Sequence, residues 1–98
     1  MVEAEAPSEF EWDDVKAASN EAKHAIPFAV AARIFGDANR LVVEASHPED
    51  GETRFKVIGV IQKRVFTVVF TPRGEVCRII SARRSSSKEE RAYANRSI

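Results

Sequence analysis

Polar side chains able to bind an anion and transfer a proton lie in one row on the first predicted helix. Lys16, Asn20 and His24 are four residues apart, so they stack along one side of a helix. Lys23 stands beside His24. An ammonium group attracts anions, and histidine exchanges a proton near neutral pH. The same pattern is typical of a solvent-facing polar helix surface, so both interpretations stay open.

Arginines concentrate at the end of the last predicted strand, as Arg78, Arg83 and Arg84. A guanidinium group binds phosphate through two parallel hydrogen bonds, so this strand is a candidate anion-binding element. Because side chains alternate along a strand, Arg78 and Arg83 are expected on opposite faces unless a bulge intervenes. For Arg84, at the strand end, a solvent-facing position is the favoured interpretation.

Two further groups are candidate acids or bases near these cations. Glu52 lies two residues before Arg54, and it can pair with that arginine or accept a proton. Tyr93 carries a hydroxyl in the last predicted helix, although covering the core with its ring is the favoured role. Trp12 is expected to anchor the core, and Cys77 to be a small buried residue.

No spacing in the sequence indicates a cofactor or metal site. His24 and His47 do not form an HxxxH or HxH pattern, and a single cysteine makes neither an internal disulfide nor a CxxC pair. Phosphate-binding loops, nucleophile elbows and dinucleotide fingerprints are absent from the sequence. The acidic start does not resemble a secretory signal, and no apolar run approaches the ~20 residues of a membrane helix. We expect no cofactor, no metal, no membrane association and a cytoplasmic location.

Length and composition indicate one soluble domain with an uneven charge distribution. Of the 98 residues, 44% are hydrophobic and 31% are charged, which is typical of globular proteins. The formal net charge is zero, yet residues 1–50 hold 4 basic and 11 acidic residues, and residues 51–98 hold the reverse. This asymmetry indicates a surface for a polyanion, or else two halves that neutralise each other across the fold.

Periodicity places two helices in the first half of the chain. A short strand over residues 9–12 precedes a helix over residues 14–25, with Asp13 as its N-cap. Pro27 favours the start of a second helix, over residues 28–35, which Gly36 ends. Spacings of three and four residues predict the apolar face of the first helix, formed by Val15, Ala18, Ala22 and Ile26.

Strand-like segments follow over residues 41–45, 54–62, 64–71 and 76–83. The last three have short connections, which imply antiparallel neighbours. Overlapping S-x-x-E patterns in residues 85–90 predict a capping box for a last helix that ends near Asn95. We therefore predict an α+β fold, with an antiparallel β-sheet, two N-terminal helices packed on one face and a C-terminal helix, the helices covering one face. A flexible acidic tail over residues 1–8, a single domain over 9–95 and a tail over 96–98 complete this division.

The sequence resembles the BrnT family through several separated motifs in the same order. The opening motif consists of residues 10–13 (FEWD), Lys16, Asn20, Lys23 and His24. The later matches are Phe28, Ala31, Ala32, Phe35, Asp37, Glu52, Arg54, Gly59, Arg64, Thr71, Arg73, residues 78–84, Glu90, Arg91 and Tyr93. The resemblance covers about residues 10–94. One position departs from it: Ala25 stands where the family usually has glycine, so a change in the joint between the first two helices is expected.

The resemblance implies a RelE-like ribonuclease toxin of a type II toxin–antitoxin module, which cleaves RNA and inhibits translation. It also implies a BrnA-type antitoxin that neutralises the toxin and represses the shared operon through its own DNA-binding part. Metal-independent RNA cleavage uses the neighbouring 2′-hydroxyl as nucleophile. It needs a base, an acid, and cations that stabilise the transition state.

Each candidate residue has an expected role in such an endoribonuclease. His24 or Glu52 can serve as the base, and the choice of acid and base among His24, Glu52 and Tyr93 stays open. Arg54, Arg78 and Arg83 are expected to bind phosphate and stabilise the transition state. The residues expected to bind flanking RNA are Lys16, Lys23, Arg84 and Tyr93.

Two other classes of function are compatible with parts of the sequence. A non-catalytic module could use the basic half to bind a protein or a nucleic acid through charge alone. A DNA-binding regulator is disfavoured, because no helix-turn-helix pattern with a basic recognition helix is present.

Overall fold

A five-stranded mixed sheet organises the computed structural model, which describes residues 6–95. Its strands are β1 (Glu9–Glu11), β2 (Leu41–Glu44), β3 (Phe55–Ile61), β4 (Arg64–Arg73) and β5 (Val76–Arg84). They lie in the order β1-β5-β4-β3-β2. Residues 1–5 of the predicted tail over residues 1–8, and the whole predicted tail over residues 96–98, lie outside the described residues.

The three-stranded meander of β3, β4 and β5 is confirmed, and β2 is antiparallel to β3. The expectation of an antiparallel sheet is wrong at β1, which pairs in parallel with β5. A hairpin forces antiparallel pairing, but most of the chain separates β1 from β5, so either direction is open to them. The RelE-like arrangement expected from the resemblance is therefore matched only in part.

The helices begin where their capping residues predict. In α1 (Asp14–His24), the Asp13 carboxylate accepts hydrogen bonds from the backbone N–H groups of Val15 and Lys16. The second helix, α2 (Phe28–Ala31), continues as a 3₁₀ turn over Ala32–Gly36, and a short 3₁₀ turn spans Pro48–Asp50. The third, α3 (Ser87–Asn95), begins after Ser86, and Ser86 and Glu89 form the predicted capping box.

The prediction that Val15, Ala18 and Ala22 form the buried face of α1 is wrong. Val15 is 79% exposed, and Ala18 and Ala22 are also exposed, whereas Asn20 and His24 are half-buried. The Asn20 side chain donates to the carbonyl of Ala82 at 2.8 Å and accepts from its N–H at 3.1 Å. Since β1 is only three residues long, the edge of β5 beyond it has unpaired backbone groups, and an amide satisfies them where an apolar side chain cannot.

The hydrophobic core lies between one face of the sheet and the segment from α2 through its 3₁₀ turn. Its buried side chains include Phe28, Ile34, Val57, Val68 and Ile79. Each contributes about 1.5–3 kcal/mol when fully buried. Trp12 packs edge-on against Phe28 with ring centroids 6.0 Å apart, which confirms its predicted role as a core anchor.

The C-terminal helix α3 lies against the opposite face of the sheet, so the prediction that helices cover one face is wrong. Lys56 and Thr67 alternate with the core residues Val57 and Val68, and their side chains reach Glu89 of α3. Ile58, on the same face, is 1% exposed. This face had its own apolar residue to bury, which explains why a second layer forms there.

Candidate functional site

A β-bulge in β5 decides which arginines share a face of the sheet. Val69 pairs with Ser81, but the next residue, Phe70, pairs with Ile79, so Ile80 is an extra residue in β5. Ile79 and Ala82 are both buried against the core although their numbers differ in parity. Arg78 and Arg83 therefore lie on the same face, because the bulge interrupts the alternation that would otherwise place them on opposite faces.

We call this surface the arginine face: the face of the sheet opposite α2, carrying Arg54, Lys56, Arg73, Arg78 and Arg83. Thr71 pairs with Arg78, and its hydroxyl donates to the carbonyl of Thr53 at 2.7 Å. That contact places Arg54 and Arg78 in one row across the strands, about 10 Å apart at their Cα atoms. Arg83 pairs with Thr67, which is four residues from Thr71 in β4. Arg83 is therefore about 13 Å from this row along the strands.

Carboxylates hold Arg54, Arg73 and Arg78 in place. Glu11 of β1 accepts a hydrogen bond from Nη1 of Arg78 at 2.7 Å. Glu52 accepts from Nε of Arg54 at 3.3 Å and from Nη2 of Arg73 at 3.4 Å. Asp50 lies 3.5 Å from Nη1 of Arg54. Because Glu11 and Asp50 come from the acidic half of the chain, the two halves do neutralise each other on this face.

Glu89 of α3 holds Arg83 and Lys56. Its carboxylate accepts two hydrogen bonds from Arg83, at 2.7 and 2.9 Å, and one from Lys56 at 3.0 Å. The Arg83 guanidinium, with the Ser86 N–H and Lys56, holds the pKa of Glu89 far below its usual range, although burial opposes this shift. The same hydrogen bonds raise the pKa of Arg83 above its ordinary value. Both groups are therefore charged at every physiological pH.

The structure does not bring His24 together with Glu52. Asn20 binds Ala82 near the end of β5, and His24 lies one helical turn beyond it, about 6 Å farther on. Glu52 precedes β3 at the opposite end of the strands. Lys16 and Lys23 are exposed on α1. Arg84 lies on the core side of the sheet, with its guanidinium carbon 5.9 Å from the ring centroid of Phe66.

Tyr93 and Cys77 make contacts that stabilise the fold. The Tyr93 hydroxyl donates to Oδ2 of Asp37 at 2.5 Å, and the same oxygen accepts from the N–H of Val60 at 2.9 Å. This contact ties α3 to the edge of β3. Cys77 is buried, which raises the pKa of its thiol to about 12 and keeps it protonated at neutral pH. Its prediction as a small buried residue is confirmed.

Within residues 6–95, no three His, Cys, Asp or Glu side chains lie close enough together to hold a metal ion. Among the helices of the same residues, none has the length and apolar character needed to cross a membrane.

Sequence reasoning missed several residues that shape the arginine face. The sequence assigns no site role to Lys56, which falls inside a predicted strand, or to Glu11, which belongs to the opening motif. Glu89 is one of two candidates for the capping box. The S-x-x-E pattern does select Glu89, but it shows nothing of the partners across the sheet. The adjacent apolar residues Ile79 and Ile80 interrupt the alternation of polar and apolar side chains, and this is a local signal that indicates the bulge.

Comparison with known proteins identifies the chain at the family level. A family model described as the ribonuclease toxin BrnT of a type II toxin–antitoxin system matches residues 12–89, which is most of the chain. The match contains α1, the whole meander and Glu89. A search of curated proteins gave no significant match.

Proposed function

The chain belongs to the BrnT family of type II toxin–antitoxin ribonuclease toxins, and from this premise we propose that it cleaves RNA on the arginine face without a metal ion. The observation that carries the proposal is the row formed by Arg54 and Arg78, with Glu52 bonded to Arg54, since two cations and a carboxylate then lie together on one face. Cations gathered at one surface stabilise the extra negative charge that a phosphodiester develops in its transition state.

The reaction is an attack by the neighbouring 2′-hydroxyl on phosphorus. Glu52 takes the hydroxyl proton, a bond forms from the 2′-oxygen to phosphorus, and the bond to the 5′-oxygen breaks. Arg54 and Arg78 stabilise the charge on the phosphoryl oxygens and on the departing 5′-oxygen, which takes a proton from solvent. The products are a 2′,3′-cyclic phosphate and a 5′-hydroxyl end.

Glu52 is favoured as the base over the two other candidates. It lies beside Arg54, whereas His24 is at the far end of the sheet and the Tyr93 hydroxyl is bonded to Asp37. Glu11 is a second carboxylate in the same row, paired with Arg78. Lys16 and Lys23 contact RNA outside the reacting phosphate in this proposal, whereas Arg84 has no part in it because it lies on the opposite face of the sheet.

The test is cleavage of total RNA in EDTA by wild type and by Arg54→Gln, Arg78→Gln, Glu52→Gln and Glu11→Gln. Losing one transition-state cation lowers the rate about 10²–10³-fold, and losing the base lowers it about 10²–10⁴-fold. The exposed Arg33 supplies the matched control, Arg33→Gln, which keeps the wild-type rate. A greater loss in Glu11→Gln than in Glu52→Gln would transfer the role of base to Glu11.

Three outcomes contradict the proposal. Loss of wild-type cleavage in EDTA would contradict metal independence. Unchanged cleavage by both Arg54→Gln and Arg78→Gln would remove the arginine face from the reaction. Binding of RNA by folded wild type without any cleavage, with or without ribosomes, would favour the non-catalytic binding module.

The family implies an antitoxin partner, and the proposal extends to how that partner acts. A BrnA-type antitoxin covers the arginine face in the cytoplasm, prevents the toxin from inhibiting translation, and represses the operon through its DNA-binding part. Support comes from the four carboxylates already paired on this face, since acidic side chains of a partner can make the same contacts. Antitoxin should therefore compete with RNA for wild-type toxin, and competition should weaken in Arg78→Gln.

A further inference from the structure

Glu89 is the most highly coordinated carboxylate on the arginine face. It is 6% exposed and accepts hydrogen bonds from Arg83, Lys56, the Thr67 hydroxyl and the Ser86 N–H. Arg83 and Lys56 come from different strands of the sheet, β5 and β3. One carboxylate thus holds together two cations that would otherwise repel each other.

Both cations keep hydrogen-bond donors that Glu89 does not use. Glu89 engages Arg83 end-on, through Nη1 and Nη2, and Nη1 also donates to the carbonyl of Arg84. Among the described residues nothing accepts from Nε of Arg83, so its side-on pair of donors, Nε and Nη2, remains available. Lys56 has three N–H donors and gives one to Glu89. The two side chains are 37% and 31% exposed, so these donors are accessible to a ligand.

We propose that Lys56 and Arg83 form a single binding site for an RNA backbone phosphate, and that Glu89 is the positioning residue that holds them together. This inference rests on the proposed function for its ligand and adds a subsite to it. Arg83 lies about 13 Å along the strands from Arg78, and Lys56 lies two residues, or about 7 Å, from Arg54, so the site binds a phosphate that flanks the one being cleaved. Lys56 contacts that phosphate, and Glu89 does not.

The proposal and plain electrostatics predict opposite effects on RNA affinity when Glu89 is replaced by an amide. Replacing a carboxylate by an amide makes the protein more positive, and on charge alone it would strengthen binding of a polyanion. If Glu89 positions Arg83 and Lys56, the same replacement weakens binding, because the two cations separate and lose their common geometry. A role limited to anchoring α3 would leave the affinity of a correctly folded variant unchanged.

The experiment measures binding of a 2′-O-methyl RNA oligonucleotide, which cannot be cleaved, by fluorescence anisotropy. We expect Lys56→Gln and Glu89→Gln each to raise the Kd about tenfold, the effect of losing one charge-assisted hydrogen bond to phosphate. Lys63→Gln, at an exposed lysine in the turn between β3 and β4, is the matched control with unchanged Kd. Glu89→Asp keeps the charge and should recover part of the affinity.

In cleavage assays, Lys56→Gln should raise KM by the same factor and leave kcat unchanged. Equal or tighter binding by folded Glu89→Gln, or an unchanged Kd for Lys56→Gln, would overturn the proposal. If Glu89→Gln fails to fold, the Lys56→Gln arm alone decides. Because the oligonucleotide is not cleaved, a wild-type protein that binds it through Lys56 but cleaves no RNA would refute the proposed function and leave this site standing.

Discussion

A single inserted residue determines the composition of the candidate site. Without Ile80 as a bulge, Arg83 would point into the core side of the sheet, where Ala82 now packs. The bulge turns Arg83 to the face of Arg78 and places its guanidinium against Glu89. Bulges are common beside active sites because they redirect a side chain without ending the strand.

Ala25 carries a local cost at the end of α1. It adopts a left-handed conformation, with φ 60° and ψ 28°, and its N–H bonds to the carbonyl of Glu21. Ala25 therefore has the left-handed backbone conformation that favours glycine, and its backbone does not show the change in the joint between the first two helices that the sequence predicts. The left-handed conformation costs an L residue about 1–2 kcal/mol of folding free energy. Replacing alanine by glycine removes this cost, but the greater entropy of the unfolded glycine chain cancels about half of the gain.

We therefore expect Ala25→Gly to stabilise the protein by about 0.5–1 kcal/mol. Denaturant unfolding of the two proteins measures this difference directly. Ala18→Gly, in the middle of the same helix, is the control and should destabilise by about 1 kcal/mol. A destabilised Ala25→Gly protein would show that the left-handed joint carries no strain.

At the level of elements, the sequence predicted the bounds of every strand to within two residues, but not which faces are buried. The predicted second helix over residues 28–35 is α-helical only to Ala31 and continues as a 3₁₀ turn. The meander was predictable because its two connections are too short for anything except hairpins. The inward face of α1 was not, because Asn20 is chosen by the unpaired edge of β5, which is distant in sequence. The side covered by α3 depends on Ile58, whose burial on the second face no local pattern distinguishes from core burial.

The attachment of α3 to the sheet should weaken in acid. The pKa of Glu89 is depressed in the folded protein below its ordinary 4.5. Its stabilising contribution, through Arg83, Lys56 and Thr67, is therefore complete above about pH 5 and declines as the pH falls. Below pH 4.5 the difference in unfolding free energy between wild type and Glu89→Gln should shrink by about 1.4 kcal/mol per pH unit.

Chemical denaturation of both proteins between pH 7 and pH 3 tests this expectation. Glu90→Gln is the control, because Glu90 is exposed on the same helix. A difference between wild type and Glu89→Gln that stays constant down to pH 3 would contradict the assigned hydrogen bonds.

At the scale of the whole molecule, opposite charges are paired rather than segregated. The arginine face carries five cations, but Glu11, Asp50, Glu52 and Glu89 lie among them. The net field for a polyanion is therefore modest, although the chain is strongly asymmetric in sequence. Local geometry, rather than overall attraction, determines which phosphates bind.

This balance predicts a weak salt dependence of RNA binding. With two or three phosphates neutralised, the slope of log Kobs against log salt should be about −1.5 to −2 for single strands. Titrations of the 2′-O-methyl oligonucleotide at several salt concentrations give that slope. A value steeper than about −4 would indicate a broad electrostatic surface and contradict the paired charges.

The most direct test of metal-independent cleavage on the arginine face is the chemistry of the product ends. RNA incubated with wild-type toxin in EDTA should acquire 2′,3′-cyclic phosphate and 5′-hydroxyl ends, and these ends should disappear with Arg78→Gln. End-labelling with a kinase that requires a 5′-hydroxyl detects the 5′-hydroxyl ends. Products carrying 5′-phosphate and 3′-hydroxyl ends, or cleavage that requires added metal, would contradict attack by the 2′-hydroxyl.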